Sequence, residues 1–142
     1  MGIGVSQSPA AAAMPSTSRE AIARVPWLAS IPALTLDRLA EQAMLHRMPP
    51  GSTLFEQAET PVFAQLLVRG SIELLAARGS EEILIEFVQA ADFLLPAAVL
   101  NQQPYLLRAR VLDEATLVMI QADAFRQALA SDHALCLAVL VC

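Results

Sequence analysis

The spacing of apolar residues changes period twice along this chain. Ser18 opens S-R-E-A-I-A-R-V, a polar cap followed by a short helix that Pro26 stops or kinks. Thr35 is a second candidate cap. Leu36, Leu39, Ala40 and Ala43 then recur at helical spacing, which predicts a helix over 36–44.

From Leu45 the pattern becomes strand-like. Leu45–Met48 reads as a short strand ending at the turn Pro49-Pro50-Gly51. Residues 53–57 read as a strand, as does Phe63–Val68, with a break at Arg69-Gly70. Ser71–Ala76 alternates up to Arg78-Gly79-Ser80, a hairpin tip, and Glu82–Val88 is the returning strand. In that strand Ile83, Ile85 and Phe87 share one face, and Glu82, Leu84 and Glu86 the other. Phe93–Leu95 is a brief strand and Pro96–Leu100 a short helical interruption. Tyr105–Leu112 and Thr116–Ile120 complete the strands.

Helical spacing then returns. Asp123 sits near the start of a helix through Leu129, where an acid suits the helix dipole. Ser131-Asp132 caps another helix, and from Ala134 onward A-L-C-L-A-V-L-V-C is apolar on every side. Such a helix must be buried or paired with another chain. A native terminus on bare Leu-Val-Cys is unusual, so the sequence reads as a truncated product. The order of helices, about eight short strands and helices predicts an α+β domain, with a small antiparallel β-barrel or jelly roll flanked by N- and C-terminal helices.

Composition narrows the function. The chain has 142 residues, which suits one domain. It is 56% apolar and 16% charged, more apolar than most soluble domains. Either a dry cavity, a face for another chain, or a genome rich in Ala and Leu accounts for the surplus. The nine basic residues are all arginine, and the net charge is −5 with no basic stripe. Binding of nucleic acid by this chain itself is therefore not expected. No run approaches the roughly 18 apolar residues of a membrane span, and the Ala-, Ser- and Pro-rich residues 1–18 read as a disordered leader, not a secretion signal. Cys136 and Cys142 lie off one another's helical face, so reduced thiols and a cytoplasmic location are expected.

The motifs, taken in order, resemble the sensor half of the Crp/Fnr superfamily of bacterial transcription regulators, a cyclic-nucleotide-binding-like domain. W-L-A-S-I-P, L-D-R-L-A-E-Q-A, P-P-G-S-T-L-F-E-Q-A-E and L-L-V-R-G-S-I-E-L are similar to that family's opening element, first helix, Gly-x-x-Leu-Phe turn and central strand pair. The resemblance implies a leader over 1–18, a sensor domain over 19–131 and the start of a dimerisation helix over 132–142. It also implies a small-molecule effector and a homodimer through the C-terminal helix, with Leu135, Cys136, Val139 and Leu140 at the interface. DNA would be reached only through a domain absent from this chain, and no membrane is implied.

The same resemblance places a ligand site at Phe93, Leu94, Leu95, Pro96, Tyr105, Leu106 and Arg108. Departures matter here. The family's turn glycine after Gln57 is Ala58. Leu94-Leu95 stands for Gly-Glu, and Tyr105-Leu106 for Arg-Ser/Thr. A cyclic phosphate needs an arginine and backbone donors, and its ribose needs a carboxylate. Cyclic AMP is therefore not the expected effector, and an apolar pocket with an aromatic rim is. Arg108 and Arg110 share a strand face and either meet an anionic ligand or pair with Glu82 or Glu86. His46 and His133 lack metal-site spacing, and a haem, which some superfamily members use, would need one of them as an axial ligand. No nucleophile–base arrangement is visible, so no enzyme is expected. The effector stays unidentified. A ligand-free oligomerisation module of the same fold and, further off, a small jelly-roll enzyme are the competing readings.

Overall fold

The computed structural model describes residues 17–28 and 31–141. Nearly all of the expected leader, and Cys142, lie outside the described residues. Helix α1 spans Ser18–Ala23, and a single 3-10 turn follows at Pro26–Leu28. The cap of α1 is one residue earlier than the sequence pattern indicates: Thr17 Oγ1 accepts from the Glu20 N–H at 3.1 Å. Helix α2 is Ala33–Glu41, starting behind Pro32 and not at Thr35. Strands β1 (Ala43–Met48), β2 (Thr53–Phe55), β3 (Phe63–Arg78), β4 (Glu81–Gln89) and β5 (Asp92–Phe93) follow, then the short helix α3 (Pro96–Leu100). Strand β6 (Arg108–Gln121) leads into helices α4 (Ala122–Ser131) and α5 (His133–Val141).

The strands form one antiparallel sheet in the order β1-β6-β3-β4, with β2 also on β6 and β5 also on β3. It is a jelly-roll type of α+β domain whose sheet does not close into a barrel. The sequence pattern breaks β3 at Gly70 and β6 near Asp113, but each is a single strand, of 16 and 14 residues. The breaks are bulges. Register shifts flank Arg69 and Ser71, and Ser71 Oγ donates to Asp113 Oδ2 across them at 2.7 Å. Gly70 has φ +96°, and a Cβ there would lie 2.3 Å from the Glu114 carbonyl oxygen. Only glycine fits that position, so the chain continues as a strand without a side chain at the crossing.

Adjacent residues of β3 and β6 point to opposite faces and feed two cores. Leu66 and Val118 join Ile22, Leu28, Val99, Phe125 and Leu135 beneath the helices. Leu67 and Leu117 join Phe55, Ile72, Leu94 and Tyr105 inside the roll. Gln65 is buried with its Oε1 lacking a hydrogen-bond partner among the described residues. The hairpin tip at Gly79 is as the turn chemistry indicates, with Arg78 facing Glu81. Strand β4 is less one-sided than its alternation implies: Ile83, Leu84, Ile85 and Phe87 are 44–54% exposed.

Asp132 caps α5 as expected, accepting from the Leu135 N–H at 3.0 Å. Its other oxygen accepts from the Thr35 hydroxyl at 2.8 Å, so Thr35 ties α2 to the terminal helix instead of capping its own. These bonds, Leu135 first, hold the Asp132 carboxyl below its ordinary value. Leu135 and Val139, expected on a dimer face, are instead buried in this chain's own core. An all-apolar helix has to satisfy its inner face first, and these two provide it. Cys136 is a half-buried free thiol at the edge of that core, and Leu137 is 49% exposed. The side chain of Leu140 lies outside the described residues. No helix among the described residues is long and apolar enough to cross a membrane.

Two substitutions test the backbone geometry in opposite directions. Gly70→Ala is expected to destabilise by at least about 2 kcal/mol, from strain plus the clash. Ala58, at φ +73°, holds the left-handed position that a glycine occupies more easily. Ala58→Gly is expected to stabilise by about 0.5 kcal/mol. Denaturant midpoints of the two variants and the parent protein measure both.

Candidate functional site

A cavity of about 860 Å³ opens between β4, β5, α3, the loop before β6, and the two ends of the described chain. That volume suits a drug-sized organic molecule. Strand β4 supplies Glu86, Phe87 and Val88 to its wall. Strand β5 supplies Asp92 and Phe93, and α3 with its cap supplies Leu95, Pro96, Ala97 and Ala98. Asn101, Gln103, Pro104, Leu106 and Leu107 close one side, and Trp27 and Val139 another.

Local sequence positions these groups. Pro96 at the first turn starts α3 with its missing N–H at no cost. Leu95 takes a left-handed conformation, φ 45° and ψ 56°, to turn the chain from β5 into that helix. Arg126 of α4 holds α3 from behind by donating to the Val99 carbonyl at 2.9 Å. Trp27 donates its indole N–H to the Ala91 carbonyl at 2.7 Å and tilts against Phe93 with ring centres 5.9 Å apart. Phe93 in turn tilts against Phe125 at 5.0 Å, linking the cavity wall to the helical core.

Of the seven ligand-site residues expected from sequence, Phe93, Leu95, Pro96 and Leu106 line the cavity. Leu94 does not: it is 1% exposed and points into the core of the roll. Tyr105 does not either. It is buried and stacked on Phe55, with ring centres 3.6 Å apart and planes at 11°. Its backbone is clamped by the β2–β3 turn, Ala58 N–H to its carbonyl at 2.7 Å and its own N–H to the Glu59 carbonyl at 2.9 Å. The expected aromatic rim therefore comes from Trp27, Phe87 and Phe93, not from Tyr105.

Arg108 is also absent from the lining. Its guanidinium pairs with Glu56 at 2.6 Å and with Glu82. Arg110 pairs with Glu82 at 3.0 Å and Glu73 at 3.3 Å. The partner is thus Glu82, one of the two candidates, while Glu86 faces the cavity. The hydrogen bond from Arg110, assisted by Arg108 and opposed by desolvation, holds the Glu82 carboxyl below its ordinary value. Partial burial pushes the Asp92 carboxyl up.

Among the described residues that line the cavity, none is basic and two are acidic. A buried phosphate would find apolar walls and like charge, a cost of several kcal/mol or more. Both histidines are exposed and outside the lining, so the cavity offers no histidine to a haem iron. Among the described residues, no cluster of His, Cys, Asp or Glu is placed to hold a metal. Sequence reasoning missed Trp27, Glu86, Asp92, Asn101 and Gln103. Trp27, far away in the chain, had no local signal, but the acid in Ala91-Asp92-Phe93 was visible.

Residues 45–132 match the cyclic nucleotide-binding domain family, and the chain belongs to that family. Its fold is similar to the sensor domain of the transcriptional regulator DNR from Pseudomonas aeruginosa. That match has a TM-score of 0.73 at 17% identity, over 87% of this chain and 83% of that one. A regulatory protein from Silicibacter pomeroyi DSS-3 matches at 0.70 with 23% identity, over 87% of this chain and 58% of that one. The Thermus thermophilus catabolite activator protein matches at 0.69 with 12% identity, over 82% and 55%. The chain thus spans little more than half of those two proteins. A transcriptional regulator and an activator protein of the Crp/Fnr-like kind are thus among these structural neighbours. No curated protein sequence matches the chain.

Burial, with the nearby Glu59 charge, pushes the Tyr105 phenol up to about 12. It is the chain's one tyrosine, so absorbance at a phenolate wavelength reads it alone. The folded protein is expected to titrate near 12. In urea the midpoint should fall to about 10. Because the unfolded state releases this proton first, Tyr105 draws down folding stability as pH rises above about 10. A single midpoint near 10 in both states would contradict the buried stack.

Proposed function

We propose that this chain is the effector-sensing domain of a Crp/Fnr-like bacterial transcription regulator, responding to a small molecule other than cyclic AMP. One observation carries this reading: Val139 of the terminal helix α5 shares the cavity wall with Phe87 of β4 and Pro96 of α3. A ligand there touches the sheet, α3 and the terminal helix at once. It therefore has different contacts in any two packings of α5, which is what a ligand needs to shift their populations. The signal passes to a homodimer formed through α5, on faces other than the one holding Leu135 and Val139. DNA is reached through a further domain outside this chain, and the protein works in the cytoplasm without a membrane.

The nucleotide is set aside because of charge. Arg108 and Arg110 are the arginines nearest in sequence to α3, and both are held by glutamates. Glu86 and Asp92 would face any phosphate that entered.

Thermal unfolding of the purified protein against a small-molecule panel tests this. An effector at about 100 times its Kd is expected to stabilise by about 2.7 kcal/mol, a shift of several degrees. It should also change the emission of Trp27, the chain's one tryptophan. Cyclic AMP is expected to give neither response. A shift of that size with cyclic AMP would overturn the non-nucleotide reading. A panel without any binder would favour a ligand-free oligomerisation module.

A further inference from the structure

The charge inside the cavity has a sign, and it is negative. Glu86 and Asp92 are the charged groups among its described lining residues, and neither takes part in an ion pair described in the structure. The neighbouring cations do not offset them. Arg108 and Arg110 face three carboxylates, Glu56, Glu73 and Glu82, so that network carries no spare positive charge. Three aromatic residues, Trp27, Phe87 and Phe93, line the same cavity as the two carboxylates. The Trp27 indole is fixed by its bond to the Ala91 carbonyl, and Phe93 by its contact with Phe125. Aromatic faces attract cations through the ring quadrupole, at solvent-exposed sites as well as at dry ones, where the attraction is larger. Carboxylates at an apolar concavity repel anions and gain most from a ligand that brings the missing counter-charge. The amides of Asn101 and Gln103 add polar contacts with no charge preference.

We infer that the effector cavity selects an organic cation, an apolar molecule with one positive charge such as a hydrophobic amine, quaternary ammonium or phosphonium ion. This rests on the sensor reading above and names the ligand class for the same cavity. The apolar walls hold the hydrocarbon part, the three rings meet the cation, and Asp92 and Glu86 neutralise it. The neutral amides leave room for ligands of varied shape within the same charge class.

Three probes of similar shape separate charge from greasiness: methyltriphenylphosphonium, the neutral triphenylphosphine oxide and the anionic methyltriphenylborate. Each is titrated into the intact protein while Trp27 emission and the thermal midpoint are followed. The cation is expected to bind at least tenfold more tightly than the neutral probe, and the anion most weakly. The paired change Asp92→Asn with Glu86→Gln should lower cation affinity about tenfold and leave the neutral probe unchanged. Both residues are exposed to solvent, so the fold is expected to tolerate the change. Leu106 is 80% exposed at the cavity rim, and Leu106→Arg should reverse the preference between cation and anion. Equal binding of the three probes, tighter binding of the anion, or a paired variant that binds the cation as before would overturn the charge assignment. In those cases a stabilising ligand of another class would leave the sensor reading standing. If no probe and no compound of the wider panel binds, both fall together.

Discussion

The antiparallel pairing of β3 with β6 is the constraint on which the rest of this molecule depends. These two long strands run side by side from Phe63 opposite Gln121 to Leu75 opposite Arg108. Each face of the pair is buried, one under the helices and one within the roll. Every other strand attaches to one or the other. A pairing this long cannot keep a regular ladder while the sheet curls, and the bulges around Gly70 take up the mismatch. The close approach at Glu114 is why a side chain is excluded there.

That frame positions the cavity without building it. The cavity lies where elements hung on the frame come together: a strand edge, a five-residue helix, an N-terminal turn and the terminal helix. Its parts are fixed by a few specific bonds, Trp27 to Ala91, Arg126 to Val99 and Asp132 to Thr35 and Leu135. The last of these joins the terminal helix to α2, so movement of α5 is coupled to the N-terminal helices as well as to the cavity.

Much of this was legible in the residues, for physical reasons that also mark where legibility ends. The hairpin at Gly79, the helix behind Pro96 and the cap at Asp132 follow from local backbone chemistry, and local chemistry is what a sequence displays. The breaks at Gly70 and Asp113 were misplaced because a glycine or a charged pair marks a bulge as readily as a strand end. Which it is depends on whether the partner strand has a matching shift. Arg108 shows the same limit. Alternation assigns its face, but its partners Glu56 and Glu82 come from the turn after β2 and from β4. Leu135 and Val139 had the apolar character of an interface, yet the nearest apolar surface was the chain's own. Trp27 and Val139 entered the site from opposite ends of the described chain, and no spacing rule reaches that far.

The paired arginines have a consequence for the charge balance beside the cavity. In other contexts a single substitution that frees an arginine beside a cavity could admit a phosphate. Here Arg108 and Arg110 share Glu82 and each holds a second glutamate. Releasing one leaves an unpaired carboxylate behind and still meets Asp92 and Glu86 at the wall. The chain keeps the fold of the cyclic nucleotide-binding domain family, while the described wall of its cavity carries two carboxylates and no basic residue.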